Sequence, residues 1–179
     1  AFYDWSKVKA TELFDEAAPL RAATAYADSK LKGEQCILQS SLDYRVVRLA
    51  TVFGEGDHAN FLKLAIALKN KRFVIPGNGN AAKSVISVNK AAECIGRLAV
   101  INDPKYRLIN LGFPSPVTIS QICEQFSESC GFAPPRRLPL WILRILASVG
   151  DSLARCMPAF PLTTDNLHKL SNSIVHSIQ

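Results

Sequence analysis

The sequence has no apolar run long enough to cross a bilayer. Its most apolar stretch, Leu138 to Leu153, is interrupted by Arg144 and Asp151 and falls short of the roughly 20 residues that a spanning helix needs. No charged segment followed by an apolar one opens the chain, so no secretion signal is expected. Cysteine is present without pairing: Cys36, Cys94, Cys123, Cys130 and Cys156 are an odd number with no C-x-x-C spacing. Each lies among apolar neighbours in a helical-looking run, so buried, reduced thiols and a cytoplasmic compartment are expected. Histidine is scarce. His58, His168 and His176 have no partner at metal-ligand spacing, which favours surface or capping roles and no metal. Charge is not striped along the chain. The balance of 21 Lys+Arg against 15 Asp+Glu, a net +6 with pI near 9.2, suits an anionic ligand, but its scatter argues against nucleic acid as a partner. There is no internal repeat and no low-complexity segment.

What the chain does have is a globular composition. With 179 residues, 48% hydrophobic, 20% charged and a mean hydropathy of +0.09, it can bury a core of its own or form a large piece of a bigger fold. The first twenty residues are polar and irregular and read as a loop. From Thr24 to about Ser41 the pattern is helical, with Thr24 as N-cap and Tyr26, Lys30, Glu34 and Ile37 along one side. Val46 to Phe53 is a β-rich run ending at Gly54 and Gly56, the pattern of a buried strand. A helix is expected over 60–70, a short strand over 73–75, and a turn at Pro76-Gly77-Asn78-Gly79-Asn80. A strand over 84–88, a helix over 91–101 and a strand over 106–111 follow. Thr118 caps a helix over 119–130, and the chain from Pro134 onward reads as helical. Strands alternating with helices across long crossovers indicate an α/β fold with a parallel sheet. The two best strands need further sheet partners. Arg136 and Arg137 precede a helix carrying Leu140, Trp141, Ile145, Val149 and Leu153. Such a helix can lie on a membrane surface, but packing in the substrate lobe or against the missing half is favoured.

The sharpest chemical constellation is Tyr26-Ala27-Asp28-Ser29-Lys30. Residues four apart on a helix face the same way, so a phenol and an ammonium can act at one point. A free phenol, with a pKa of about 10, is a poor base at neutral pH. A cation within roughly 4–6 Å favours phenolate, each pKa unit being worth about 1.4 kcal/mol. Such a tyrosine can take a hydroxyl proton while a neighbouring cofactor accepts hydride. Tyr and Lys at this spacing are common and usually idle, so the pair alone is weak.

The pair is accompanied by further motifs in order. Ala25 to Glu34 resembles the Tyr-x-x-x-Lys segment of the extended short-chain dehydrogenase/reductases that act on nucleotide sugars. Val47 to Gly56 is similar to that family's R-P-x-N-V-Y-G-P-G strand-to-loop motif. Pro76 to Ala91 is similar to its G-x-G-x-x-x-R-D-x-x-x-V-x-D-x-A segment, and Leu108-Ile109-Asn110-Leu111-Gly112 resembles its late strand Y-N-L-G. Together the matches cover roughly residues 1–126. Thr51, Lys83, Ser84 and Asn89 stand where the family has Asn, Arg, Asp and Asp. Lys83 keeps a charge but lacks the two-pronged fork suited to a diphosphate.

The resemblance implies a partial doubly wound, Rossmann-type parallel sheet with a small, mainly helical substrate-binding lobe. Residues 1–56 would be the second half of a dinucleotide-binding domain, with 88–112 returning to it, and 57–87 with 113–179 the lobe. It implies an NAD- or NADP-dependent nucleotide-sugar 4-epimerase or 4-ketoreductase. In that role Tyr26 and Lys30 are catalytic and hold cofactor, Ala50, Val52 and Phe53 line the nicotinamide side, and Thr51, Asn60 and Lys83 bind substrate. For Asn60 a helix N-cap is an equal alternative. A 4,6-dehydratase and a non-catalytic binding module are the other readings, and a 3β-hydroxysteroid-type dehydrogenase is less favoured. A homodimer through the helix of residues 24–41 also follows, with Ile37 and Leu38 apolar on that helix. The family's glycine-rich phosphate turn is missing, since Gly77-Asn78-Gly79 sits between two short strands. Ala1-Phe2-Tyr3-Asp4 resembles the end of the S-S-x-x-V-Y-G motif. The expectation is therefore the C-terminal half of such an enzyme, inactive by itself.

Overall fold

The computed structural model describes residues 15–22, 24–154, 163–173 and 175. Ala1 to Asp4, Cys156 and His176 lie outside the described residues. In chain order the elements are α1 (Ala25–Leu38), β1 (Val46–Leu49), β2 (Thr51–Phe53), α2 (Asn60–Lys69), β3 (Val74–Pro76), β4 (Ala82–Lys83), β5 (Val85–Ser87), α3 (Val88–Val100), a 3-10 turn (Pro104–Tyr106), β6 (Leu108–Leu111), β7 (Val117–Thr118), α4 (Ile119–Cys130), β8 (Arg136–Leu138), α5 (Leu140–Ala154) and α6 (Thr164–Ser171). They form two compact units, one of residues 1–55, 84–116 and 175–179 and the other of 56–83 and 117–174.

The first unit is built on two parallel ladders. β1 pairs with β6 in the register Val46↔Leu108 to Leu49↔Leu111, and β2 pairs with β5 from Thr51↔Val85 to Phe53↔Ser87. The expected single strand over 46–53 is thus divided at Ala50. This residue is buried, and its N–H donates to Leu111 O at 2.8 Å, whereas Thr51 N–H turns to Ser84 O at 3.3 Å. One β-rich run therefore serves two partners in succession. β5 and residues 113–116 fall in this unit rather than in the lobe. The reason is the β2–β5 ladder and the bond from Phe113 N–H to Val85 O at 2.8 Å. Ile86, Ala91 and Leu111 form the core, joined by Val47, Val52 and Cys94. Gly54, at φ +133°, closes the strand where a Cβ would stand 2.8 Å from Val88 Cγ1, so any side chain would be strained and would displace Val88.

The second unit has two cores. Leu68, Ile75, Ile119 and Cys123 gather between α2, β3 and α4, and Leu143, Ala147 and Leu167 join α5 to α6. β4 pairs antiparallel with β7. β8 runs parallel to β3, from Val74↔Arg136 to Pro76↔Leu138. This stretch is a strand and not the helix expected from the sequence, because flanking prolines (Pro134, Pro135, Pro139) keep 136–138 extended. α4 ends at Gly131 in the left-handed region, φ +68°, and begins with a capping box between Thr118 and Gln121, as its Thr-x-x-Gln pattern dictates. Cysteine burial also differs from expectation. Cys123 is buried and Cys94 half-buried, but Cys36 and Cys130 are exposed. Cys36 lies two positions past buried Glu34 on α1, about 200° round the helix, and Cys130 is the last residue of α4.

Candidate active site

α1 forms because Thr24, in extended conformation, accepts from Ala27 N–H at 3.1 Å, satisfying one of the free N–H groups of the first turn. From there the four-residue spacing places the Tyr26 and Lys30 side chains on one side of the helix. The Lys30 ammonium sits over the Tyr26 ring, 5.6 Å from its centroid, within cation–π range. Tyr26 is 71% exposed. Both line a cleft of about 860 Å³ between α1 and the chain running into β1, with Ser29, Gly33, Tyr44 and Arg45 among its other walls. The Ser29 hydroxyl donates to Tyr26 O at 2.9 Å. The cleft offers a phenol, an ammonium and hydroxyls to a ligand, which is a donor set for sugar or ribose hydroxyls.

The walls of this cleft also hold charges to which the sequence alone assigns no role. Glu34, two turns beyond Tyr26 on α1, and Arg48 of β1 form a nearly dry fork. Arg48 Nη2 donates to Glu34 Oε1 at 2.6 Å and Nε to Oε2 at 3.2 Å, with 7% and 6% of the two side chains accessible. Arg48 Nη1 donates to Glu16 O at 2.9 Å, and the Glu16 carboxylate accepts from Asn110 N–H at 2.6 Å. Buried charges are tolerated when paired and hydrogen-bonded in this manner. The network fixes α1 against the β1–β6 ladder, and with it the positions of Tyr26 and Lys30. An arginine within an otherwise apolar strand was the available signal.

The remaining sequence candidates lie elsewhere. Ala50 is buried at the division between β1 and β2. Thr51 is exposed, while Val52 and Phe53 are half-buried in β2, the Phe53 ring packing edge-on against Phe113 at 6.1 Å. Asn60 and Lys83 belong to the second unit. Asn60 is the exposed first residue of α2 and does not cap it. Asp57 does so instead, its carboxylate accepting from the N–H groups of Ala59 (2.7 Å), Phe61 (3.0 Å) and Leu62 (3.3 Å). Those bonds hold the Asp57 carboxyl below its ordinary value, the bond from Ala59 contributing most. The Lys83 ammonium donates to Lys169 O and Asn172 O, each at 2.6 Å, closing the C-terminal end of α6. Burial pushes its pKa down to about 8, while the two carbonyls favour the charged form.

A family model described as the RmlD substrate binding domain matches residues 3–76. No curated protein sequence matches the chain. The fold is that of the Rossmann-type α/β proteins. Human epimerase family protein SDR39U1, solved with NADPH, is similar at TM-score 0.63 and 15% identity, over 98% of this chain and 55% of its own. The UDP-glucose 4-epimerase of Thermus thermophilus, solved with NAD, gives 0.57 and 18% over 74% and 47%. The dTDP-glucose 4,6-dehydratase of Bacillus anthracis, also with NAD, gives 0.59 and 18% over 74% and 45%. The chain spans about half the length of these proteins. The α/β fold expected from the sequence is thus present, and the family model overlaps the Tyr-x-x-x-Lys and strand-to-loop motifs.

Proposed function

We propose that the chain carries the acid–base residues of an NAD- or NADP-dependent enzyme acting on a nucleotide-diphosphate sugar, as a 4-epimerase or 4-ketoreductase. The observation that carries this reading is the Tyr26 phenol and Lys30 ammonium sharing one face of α1 and one cleft. The residues present fit the nicotinamide-ribose end of such a cofactor: Lys30 supplies a cation for ribose hydroxyls, and the cleft has room beside it. The glycine-rich turn that would hold the pyrophosphate is not among the 179 residues. When bound, the nicotinamide supplies the hydride acceptor for sugar C4.

Tyr26 Oη takes the proton of the sugar 4-hydroxyl and returns it on reduction of the ketone. Lys30 keeps a positive charge beside the phenol. The Glu34–Arg48 fork holds both in place. Ala50, Val52 and Phe53 flank the nicotinamide side and Thr51 offers a hydroxyl to the sugar. Asn60 and Lys83 contact the base and diphosphate, Lys83 with the one hydrogen left after its two carbonyl bonds. A homodimer through α1, where Ile37 and Leu38 are exposed, belongs to the same reading.

The test is chromatographic and mass analysis of products from the full-length protein incubated with NAD or NADP and UDP- or dTDP-hexoses, and with the reduced cofactors and the 4-keto derivatives of those sugars. A 4-epimer of unchanged mass, or a 4-ketose reduced by two hydrogens, is expected. A product lighter by one water would assign a 4,6-dehydratase instead. No product and no change in nicotinamide fluorescence would make the chain a non-catalytic binding module.

A further inference from the structure

The second unit carries a helix whose outer face has no protein partner among the described residues of that unit. α5 buries Leu143, Ala147 and Gly150 on one side. On the other it exposes Trp141, Ile145 and Val149 at spacings of four, 65%, 58% and 55% accessible, with Leu146 at 45% beside them. Four large apolar side chains in one stripe exceed the scattered exposure usual for a surface.

The charge near the stripe is mainly positive, the Glu124 carboxylate lying 3.9 Å from Arg137 Nη2. Arg144 stands at its edge on the same helix, and Arg136 and Arg137 precede it on β8; all three are exposed. The acid of α5 is drawn away, since Asp151 accepts from Thr164 N–H at 3.0 Å and Thr164 Oγ1–H at 2.7 Å. The second unit holds ten Lys and Arg against five Asp and Glu, a net +5 of the chain's +6. A unit with a net charge of +5 opposes self-association through this face, because a two-fold contact would bring like charges together. It also opposes nucleic acid, which would bury no apolar stripe.

We propose that α5 lies in the plane of an anionic lipid surface, with Trp141, Ile145, Val149 and Leu146 in the acyl boundary and Arg144, Arg136 and Arg137 among the headgroups. A tryptophan on the apolar face and arginines able to reach up from its edge are what such an interfacial helix requires. The contact is a surface one, since no helix among the described residues is long and apolar enough to cross a membrane. This proposal is independent of the assigned chemistry.

The experiment is co-sedimentation of the full-length protein with vesicles of phosphatidylcholine alone and with about one third phosphatidylserine, the fluorescence of Trp141 being read as the difference from a Trp141→Phe variant. Binding and a blue shift are expected on the anionic vesicles, weakening with salt. Arg144→Gln should reduce binding about fivefold, the worth of one surface cation. Ile145→Glu with Val149→Glu should abolish it while the circular dichroism of the protein is unchanged, both positions being solvent-facing. The proposal is overturned if anionic vesicles fail to bind at low salt, or if the glutamate variant binds as well as the parent. It is equally overturned if light scattering shows a concentration-dependent dimer that the glutamate variant loses, which would give the face to a second copy.

Discussion

Arg48 is the one charged residue of β1, and its guanidinium holds three acceptors that no solvent reaches easily: both oxygens of Glu34 and the carbonyl of Glu16. A fork of this kind adds little over a well-packed apolar pair, but breaking one arm strands a buried charge. Arg48→Ala should therefore cost about 3–5 kcal/mol, seen as a fall in melting temperature of about 10 °C or more. Replacing both partners, Arg48→Met with Glu34→Leu, should recover much of that loss. Tyr26 and Lys30 were legible in the sequence because a four-residue helical period fixes their common side. The fork beneath them was not, because it joins residues 14 apart on different elements, and one chain gives no rule for which acid an arginine meets. Thiol burial was misread for a similar reason: apolar neighbours in sequence do not say which helical face points inward. Burial, with the charge of Glu124 adding to it, pushes the Cys123 thiol up to about 11. Alkylation at about pH 8 should label exposed Cys36 and Cys130 rapidly and Cys123 only after denaturation, by peptide mass mapping; equal rates would deny that core.

Caps and turns decided the elements more than propensity did. The Thr24 and Thr118 caps were readable because their hydroxyls stand immediately before the helical periods they start. Asp57 was not, since its carboxylate reaches forward over three residues to cap α2. Its lowered pKa gives a sign to the acid response. The folded carboxyl titrates below the ordinary value of 3.8, so its contribution is complete above that pH and is lost as pH falls through the lowered value. Amide exchange at Phe61 and Leu62 should accelerate there, and Asp57→Ala should show the same fast exchange at neutral pH. The turn at Pro76–Asn80 is stricter. Gly79 sits at φ +73° with the Ser120 hydroxyl and Ile75 Cγ2 where a Cβ would go, so Gly79→Ala should destabilise the second unit by about 1–3 kcal/mol in urea unfolding. β8 escaped sequence reading because three residues between prolines show no period; its partner β3 makes it a strand.

At the scale of the whole chain, alternating strands and helices gave the α/β class, since crossover length restricts the sheet to parallel pairing. The boundary between the two units is not marked by any local pattern, because β5 is held by its ladder to β2 across 34 residues. The motif order that suggests a nucleotide-sugar enzyme spans both units, whereas the proposed chemistry draws its acid–base pair from α1 and its cleft in the first. The most direct measurement is steady-state turnover of Tyr26→Phe in the full-length protein beside calorimetric binding of the sugar nucleotide. Loss of the acid–base phenol should lower kcat about 10²–10⁴-fold while the Kd for the sugar nucleotide stays within a factor of a few. An unchanged kcat would contradict the account, because the phenol would then take no part in moving the proton.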